Sequence, residues 1–203
     1  MGRGKKIVDT DLVVDEAVAL IEEGGVEEFS TRRLASRLGI SAMTLYNYYT
    51  NRDAILAAAL AKGLRMLWDG LPREIEALRS GGANPLGAFR VFADRLLNFA
   101  LERPRLCRFV LSGGSEGSVN VGAGKVVESL LAFAESSASA DRGWLEHLKR
   151  HIFLFEMLAD SLAMKVVAGS VSAEEYRELA DEGYQVLLGT HEDGMAQAAQ
   201  SST

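Results

Sequence analysis

Apolar residues recur every three or four positions along almost the whole of this chain, and nowhere do they alternate over the length of a strand. Only three prolines break the spacing. A period near 3.6 buries one face of a helix and cannot line one face of a sheet, so the pattern predicts an all-α fold. A first helix starts at Asp9 or Thr10, faces Val13, Val14, Ala17, Leu20 and Ile21 inward, and ends at Gly24-Gly25. Ser30 or Thr31 caps a short second helix with Leu34, Ala35 and Leu38 inward, closed by Gly39. Ser41 caps a short third with Leu45 and Tyr49 inward; "TNRD" is a turn, and a longer Ala- and Leu-rich helix covers 53–69. Further helices are expected near 73–80, 86–102, 105–112, 122–138, 142–169 and 173–188, with Pro104 breaking the run between two of them. "SGGSEGSVNVG" (112–122) reads as a mobile surface loop and "HEDGMAQAAQSST" as a frayed tail. No internal repeat is found.

At 203 residues the chain suits one or two domains with a real core, and 48% hydrophobic with 25% charged residues is ordinary for a soluble protein. Cys107 is the single cysteine, which excludes a disulfide framework and fits a reducing cytoplasm. "MGRGKK" runs into "IVDTDLVVDEA" rather than an apolar core, so no export signal is read. No apolar run approaches the roughly 20 residues of a spanning helix, so no membrane partner is expected and the localisation is cytoplasmic.

The net charge of −6 hides a pattern. Residues 1–8 carry Arg3, Lys5 and Lys6 and no acid; residues 9–28 carry eight acids and no base. Residues 29–52 carry Arg32, Arg33, Arg37 and Arg52 and no acid. Two basic blocks flanking an acidic helix suggest two contacts with one polyanion. A short helix, a Gly39-Ile40-Ser41 turn and another short helix are the layout of a helix-turn-helix. Gly39 permits the positive φ of the sharp turn, and Ile40 plugs the corner. The second helix would enter a DNA major groove by its N-terminal half, with Ala42, Met43, Thr44, Asn47 and Tyr48 outward. Thr31, Arg32 and Arg52 lie at helix starts or in the following turn, where they can meet phosphates. Arg33 and Arg37 either reach DNA or solvate the first helix of the motif. Arg3, Lys5 and Lys6 are either a ragged terminus or an arm reaching into the minor groove.

The stretch "FSTRRLASRLGISAMTLYNYYTNRDAILAAAL" resembles the DNA-binding signature of the TetR family of bacterial repressors. Its skeleton is Thr-Arg-x-Leu-Ala-x-x-Leu-Gly-Ile, then Thr-Leu-Tyr-x-Tyr-Tyr, then Asn-Arg-Asp-x-Ile-Leu, over roughly residues 9 to 56. The resemblance implies phosphate or base contacts by Thr31, Arg32, Ala42, Thr44, Tyr46, Asn47, Tyr48 and Arg52. Met43 stands where relatives often carry a small residue or proline, which leaves the base preference there open.

Farther along, Leu145, Leu148, Ile152, Phe155, Ala159, Leu162 and Val166 form a heptad-like seam. Beside it run Trp144, His147, His151, Leu154 and Leu158. A helix apolar on two faces must bury both, one in its own core and one against a second subunit. Tyr176, Leu179, Ala180, Gly183 and Leu187 add a companion stripe. The resemblance implies a homodimer in which the last two long helices pair as a four-helix bundle. The expected interface is Leu148, Ile152, Phe155, Ala159, Leu162, Val166, Tyr176, Leu179, Gly183 and Leu187; an intramolecular bundle is the alternative.

Trp68, Phe89, Phe92, Leu96, Cys107, Phe133, His151 and Phe155 are the candidate walls of a pocket for a small apolar effector, or else plain core. His147 and His151 stand one turn apart but lack the partners of a metal site, and no nucleophile motif appears. No catalytic residue, metal or cofactor is expected. The reading is a helix-turn-helix DNA-binding domain (1–56) followed by a helical regulatory and dimerisation domain (57–203). Its function is sequence-specific transcriptional regulation, as a repressor released by a small molecule from a palindromic double-stranded operator. The alternatives are an activator or a regulator controlled by a protein partner. An enzyme lacks its constellation here, and a pure dimerising adaptor has no use for a basic helix-turn-helix.

Overall fold

The structure, a computed structural model, describes residues 9–81, 87–113 and 142–187, with the side chains of 142–145 and 147 left out. Among the described residues there are nine α-helices and no strand. They are α1 Thr10–Gly24, α2 Thr31–Arg37, α3 Ala42–Tyr46, α4 Arg52–Trp68 and α5 Leu71–Ser80. Then follow α6 Ala88–Glu102, α7 Pro104–Ser112, α8 Arg142–Val167 and α9 Ala173–Leu187. The expected helix over 122–138 with Phe133, the loop beyond Gly113, the tail, and Arg3, Lys5 and Lys6 lie outside the described residues.

Side-chain oxygens start the helices where the sequence offered them. Asp9 accepts from the Asp11 amide, Ser30 from Arg33, Ser41 from Thr44 and Asn51 from Ala54, each supplying an acceptor to an orphan first-turn N–H. Ser172 and Glu175 form a reciprocal capping box at α9: the Ser172 amide donates to Glu175 at 2.7 Å, and the Glu175 amide to Ser172 Oγ at 3.1 Å. Two starts differ from expectation. Helix α5 begins at Leu71, ahead of Pro72, and α7 begins on Pro104 itself. A first-turn amide has no intrahelical acceptor, so proline there loses nothing.

One continuous core runs from Val13 on α1 to Tyr184 on α9. Helix α4 passes through the expected 56/57 boundary without a break, with Ile55 and Ala59 fully buried on either side of it. Small residues let helices approach. A Cβ on Gly63 of α4 would lie 2.6 Å from Val110 Cγ2 of α7, and one on Gly183 of α9 would lie 2.2 Å from Leu158 Cδ2 of α8.

The expected dimer seam is corrected here. Leu148, Ile152, Phe155, Ala159, Leu162 and Tyr176 are buried inside the single chain, and Val166 and Leu187 pack against the same core. Gly183 serves the α8–α9 contact within one subunit. Side chains already covered cannot present a surface to another copy. The open apolar groups are instead Phe153 (59% exposed), Leu154 and Met157 on the opposite side of α8, with Leu179 and Val186 on α9. Of the expected interface residues, only Leu179 is among them.

Candidate nucleic-acid interface

Helix α2, the Gly39 turn and α3 form a compact corner. Gly39 has φ +64, and the Ile40 amide donates back to the Ala35 carbonyl at 3.0 Å, so the chain reverses within one residue. Leu34 and Leu45 are fully buried, one from each helix, and Ile40 packs partly buried between them and the core. Helix α3 is therefore held from beneath. Its other side is open: Met43, Tyr46, Asn47 and Tyr48 are exposed, and Ala42 and Thr44 half-buried. The hydroxyls of Thr31 and Tyr46 lie 3.1 Å apart and tie the start of α2 to the end of α3. Ser41 Oγ lies 2.8 Å from Thr44 Oγ1 while also accepting from the Thr44 amide.

The acids of α1 divide the arginines into two classes. Arg37 pairs with Glu16 at 2.8 Å and with Glu23; Arg33 pairs with Glu23 at 3.3 Å and Glu28 at 3.7 Å. The hydrogen bond from Arg37 holds the Glu23 carboxyl below the usual carboxylate range. These two arginines thus tie α2 to α1 and to Glu28 just beyond it, where the sequence suggested either a reach to DNA or solvation of the motif's own first helix. Arg32 is exposed and makes no ion pair among the described residues. Arg52 donates to the Val26 carbonyl at 3.1 Å and lies over the Phe29 ring at 5.6 Å, so its guanidinium is positioned in advance at the start of α4. Tyr49, expected inward, donates its hydroxyl to the Thr10 carbonyl at 3.2 Å and braces α1.

Arg103, between α6 and α7, and Arg105 in the first turn of α7 complete this end of the molecule. Helix α1 has no basic residue in its last turn and carries Glu22 and Glu23 there, a poor match to the negative end of its dipole. Arg105 donates to the carbonyls of Glu22 and Glu23, at 3.2 and 2.7 Å, and Arg103 pairs with the Glu22 carboxylate. Glu23 therefore touches α7 through its backbone and α2 through its side chain. Sequence reasoning missed this junction, since residues 81 to 83 apart give no periodic signal.

Four of the candidate effector residues meet in pairs as packed rings. Trp68 stacks on Phe92 at 4.9 Å, and Phe89 meets Phe155 edge-on at 6.0 Å. Leu96 and Cys107 are fully buried beside them, and His151 is half-buried. Trp68 Nε1 is buried with no hydrogen-bond partner. An open cleft of about 260 Å³ between α6, α8 and α9 is lined by Arg90, Asp94, Tyr176, Arg177 and Asp181, and touches only Phe155 of the expected set. Sequence reasoning also missed a half-buried acidic pair. Burial, with Glu156 beside it, pushes Asp160 up to about 7, and burial raises Glu156 as well. Burial and Asp160 push the Cys107 thiol up to about 12, which leaves it inert. Tyr176, raised by burial and the same acid, donates to the Ala93 carbonyl at 3.0 Å. The available signal was a pair of acids four apart in the mostly apolar stretch 152–164 of that helix. Among the described residues no three metal-ligating side chains gather, and no helix is long and apolar enough to cross a membrane.

Residues 13–59 match the profile of bacterial regulatory proteins, tetR family. The chain is 34% identical to the tetracycline repressor protein class D of Escherichia coli over 84 residues, 41% of this chain and 38% of that one. The matched stretch thus spans well under half the length of that repressor. Similarity to the transcriptional repressor KstR of Mycolicibacterium smegmatis is lower, 22%, but covers 89% of this chain and 87% of the relative. In three dimensions the chain resembles Thermus thermophilus FadR, a transcriptional repressor solved with lauroyl-CoA, at a TM-score of 0.64 and 20% identity. That likeness covers 89% of this chain and 93% of the other, and it speaks to the fold alone.

Proposed function

We propose that this chain, whose residues 13–59 match the tetR family of bacterial regulatory proteins, is a member of that family and a sequence-specific DNA-binding transcriptional repressor released from its operator by a small molecule. The observation that carries the reading is the α2–turn–α3 corner, held from beneath by Leu34 and Leu45 with the outer side of α3 left open. Residues 1–56 act as the DNA-binding part and 57–203 as the regulatory and dimerising part. Helix α3 enters the major groove. Arg32, Thr31 and Arg52 meet phosphates, and Ala42, Met43, Thr44, Tyr46, Asn47 and Tyr48 face the groove or its edge.

Two copies associate through the exposed side of α8 and α9, around Phe153, Met157, Leu179 and Val186. A two-fold dimer places its recognition helices about 34–36 Å apart on a palindromic operator. An apolar effector that parts the Trp68–Phe92 stack offers its own acceptor to the orphan Trp68 N–H and displaces the end of α4. It shifts the equilibrium only by its difference in affinity for the two arrangements. The relatives' names support this reading: repressors, one of them solved with an acyl-CoA.

The test is selection of operators from a random double-stranded library by the full chain, followed by titration at rising salt. A palindromic consensus whose affinity falls steeply with salt is expected. Recovery of no consensus, or an affinity indifferent to salt, overturns the reading.

A further inference from the structure

Met43 is set apart on α3 by what it cannot do. The Thr44 and Tyr46 hydroxyls each already share a hydrogen bond inside the protein, with Ser41 and Thr31. Met43 is 75% exposed, the most open large apolar side chain among the described residues. It sits in the first turn of a helix held rigidly by the fully buried Leu45. Arg33 and Arg37 of the neighbouring α2 are turned toward Glu16 and Glu23 of α1. A thioether donates no hydrogen bond and accepts only weakly, so it cannot read the donor and acceptor pattern of a base pair. One base-edge feature of the major groove does reward apolar surface, the C5 methyl of thymine.

Resting on the reading of α3 as the major-groove helix, we infer that Met43 is a specificity-determining residue that selects thymine by packing against its C5 methyl. The unbranched side chain can follow the methyl through small changes in docking, which a branched residue cannot. What is recognised is the methyl group rather than the base. Cytosine in that place is refused for want of the methyl, and 5-methylcytosine regains this one contact.

The full chain first selects its operator from a random duplex library. Each thymine of the selected site is then replaced singly by deoxyuridine, and every duplex is titrated against the native chain and Met43→Ala. One thymine per half-site should cost the native chain about fourfold in affinity when its methyl is removed, and about 15-fold when both half-sites are changed. Met43→Ala should be indifferent to uracil at that place while keeping the native response to every other substitution. At the same place, 5-methylcytosine should bind the native chain more tightly than cytosine, and Met43→Ala should not distinguish them. An unchanged thermal melt for Met43→Ala separates loss of contact from loss of fold. If an operator is recovered but no thymine shows a methyl response that depends on Met43, the assignment is wrong while the DNA-binding reading stands. If no operator is recovered, both fall together.

Discussion

Gly39 carries the only left-handed backbone position in the corner that orients α3 (φ +64), and the residue is exposed. Gly39→Ala therefore tests conformation alone. A β-carbon in that region costs about 1–2 kcal/mol, so thermal unfolding should show a loss of that size. The arginines nearby are not interchangeable either. Arg32 is unpaired among the described residues, whereas Arg37 is bound between Glu16 and Glu23. Arg32→Ala should weaken all DNA sequences alike and reduce the slope of log affinity against log salt by about one. Arg37→Ala should leave that slope unchanged and lower the melting temperature modestly, because it removes two of the ion pairs that join α2 to α1.

At the scale of elements, two contacts inside the body are set by size and by charge. Helices α4 and α7 touch through Gly63, where a β-carbon would press on Val110, a β-branched side chain with little freedom to turn aside. Gly63→Ala should destabilise by about 1–3 kcal/mol through overpacking, although alanine is the better helix former. Denaturant unfolding measures this directly. Helix α8 holds a half-buried Asp160 beside Glu156, near Cys107 on α7 and Tyr176 on α9, and Tyr176 in turn faces Asp94 from α6. Its folded pKa of about 7 exceeds the ordinary 3.8, so the folded chain holds a proton across that window which the unfolded chain releases. Stability present at low pH is thus lost as pH rises from 3.8 to about 7. Asp160→Asn should raise Tm near neutral and alkaline pH and change it little near pH ~4, measured by scanning calorimetry.

For the molecule as a whole, burial separates residues that hold one chain together from residues free to hold two. Leu162 is 5% exposed and belongs to the subunit's own core, whereas Phe153 and Met157 are 59% and 55% exposed. Phe153→Glu with Met157→Glu should give a folded monomer by sedimentation, with DNA affinity reduced because one half-site is lost. Leu162→Glu should instead unfold the chain, since an unpaired buried charge is strongly unfavourable. A native chain that sediments as a monomer at micromolar concentration would remove the dimer from the proposal. The junction of Arg103 and Arg105 with Glu22 and Glu23 also belongs to this scale. It joins α7 to the recognition corner by a route separate from α4.

Helical period, capping residues and the Gly39-Ile40-Ser41 turn were sufficient to read the helices among the described residues to within a residue or two, because each is a local property of the backbone. The helix-turn-helix was legible for the same reason: its glycine, its caps and its inward leucines lie within twenty residues of one another. Period alone also showed that α8 has two apolar faces, 145–166 and 144–158. It could not say which one the chain would cover, because both satisfy the same spacing and the choice is made by where α6, α7 and α9 come to rest. The same holds for the rings. Their faces converge by periodicity, but only packing in three dimensions put Trp68 on Phe92 and left the Trp68 N–H without a partner. Charge followed the same division. The sequence by itself determined that an acidic segment lies between basic ones; tertiary structure decided that its glutamates would take Arg33 and Arg37. Ion pairs form between groups that the fold brings within a few ångströms, and position along the chain carries no such distance.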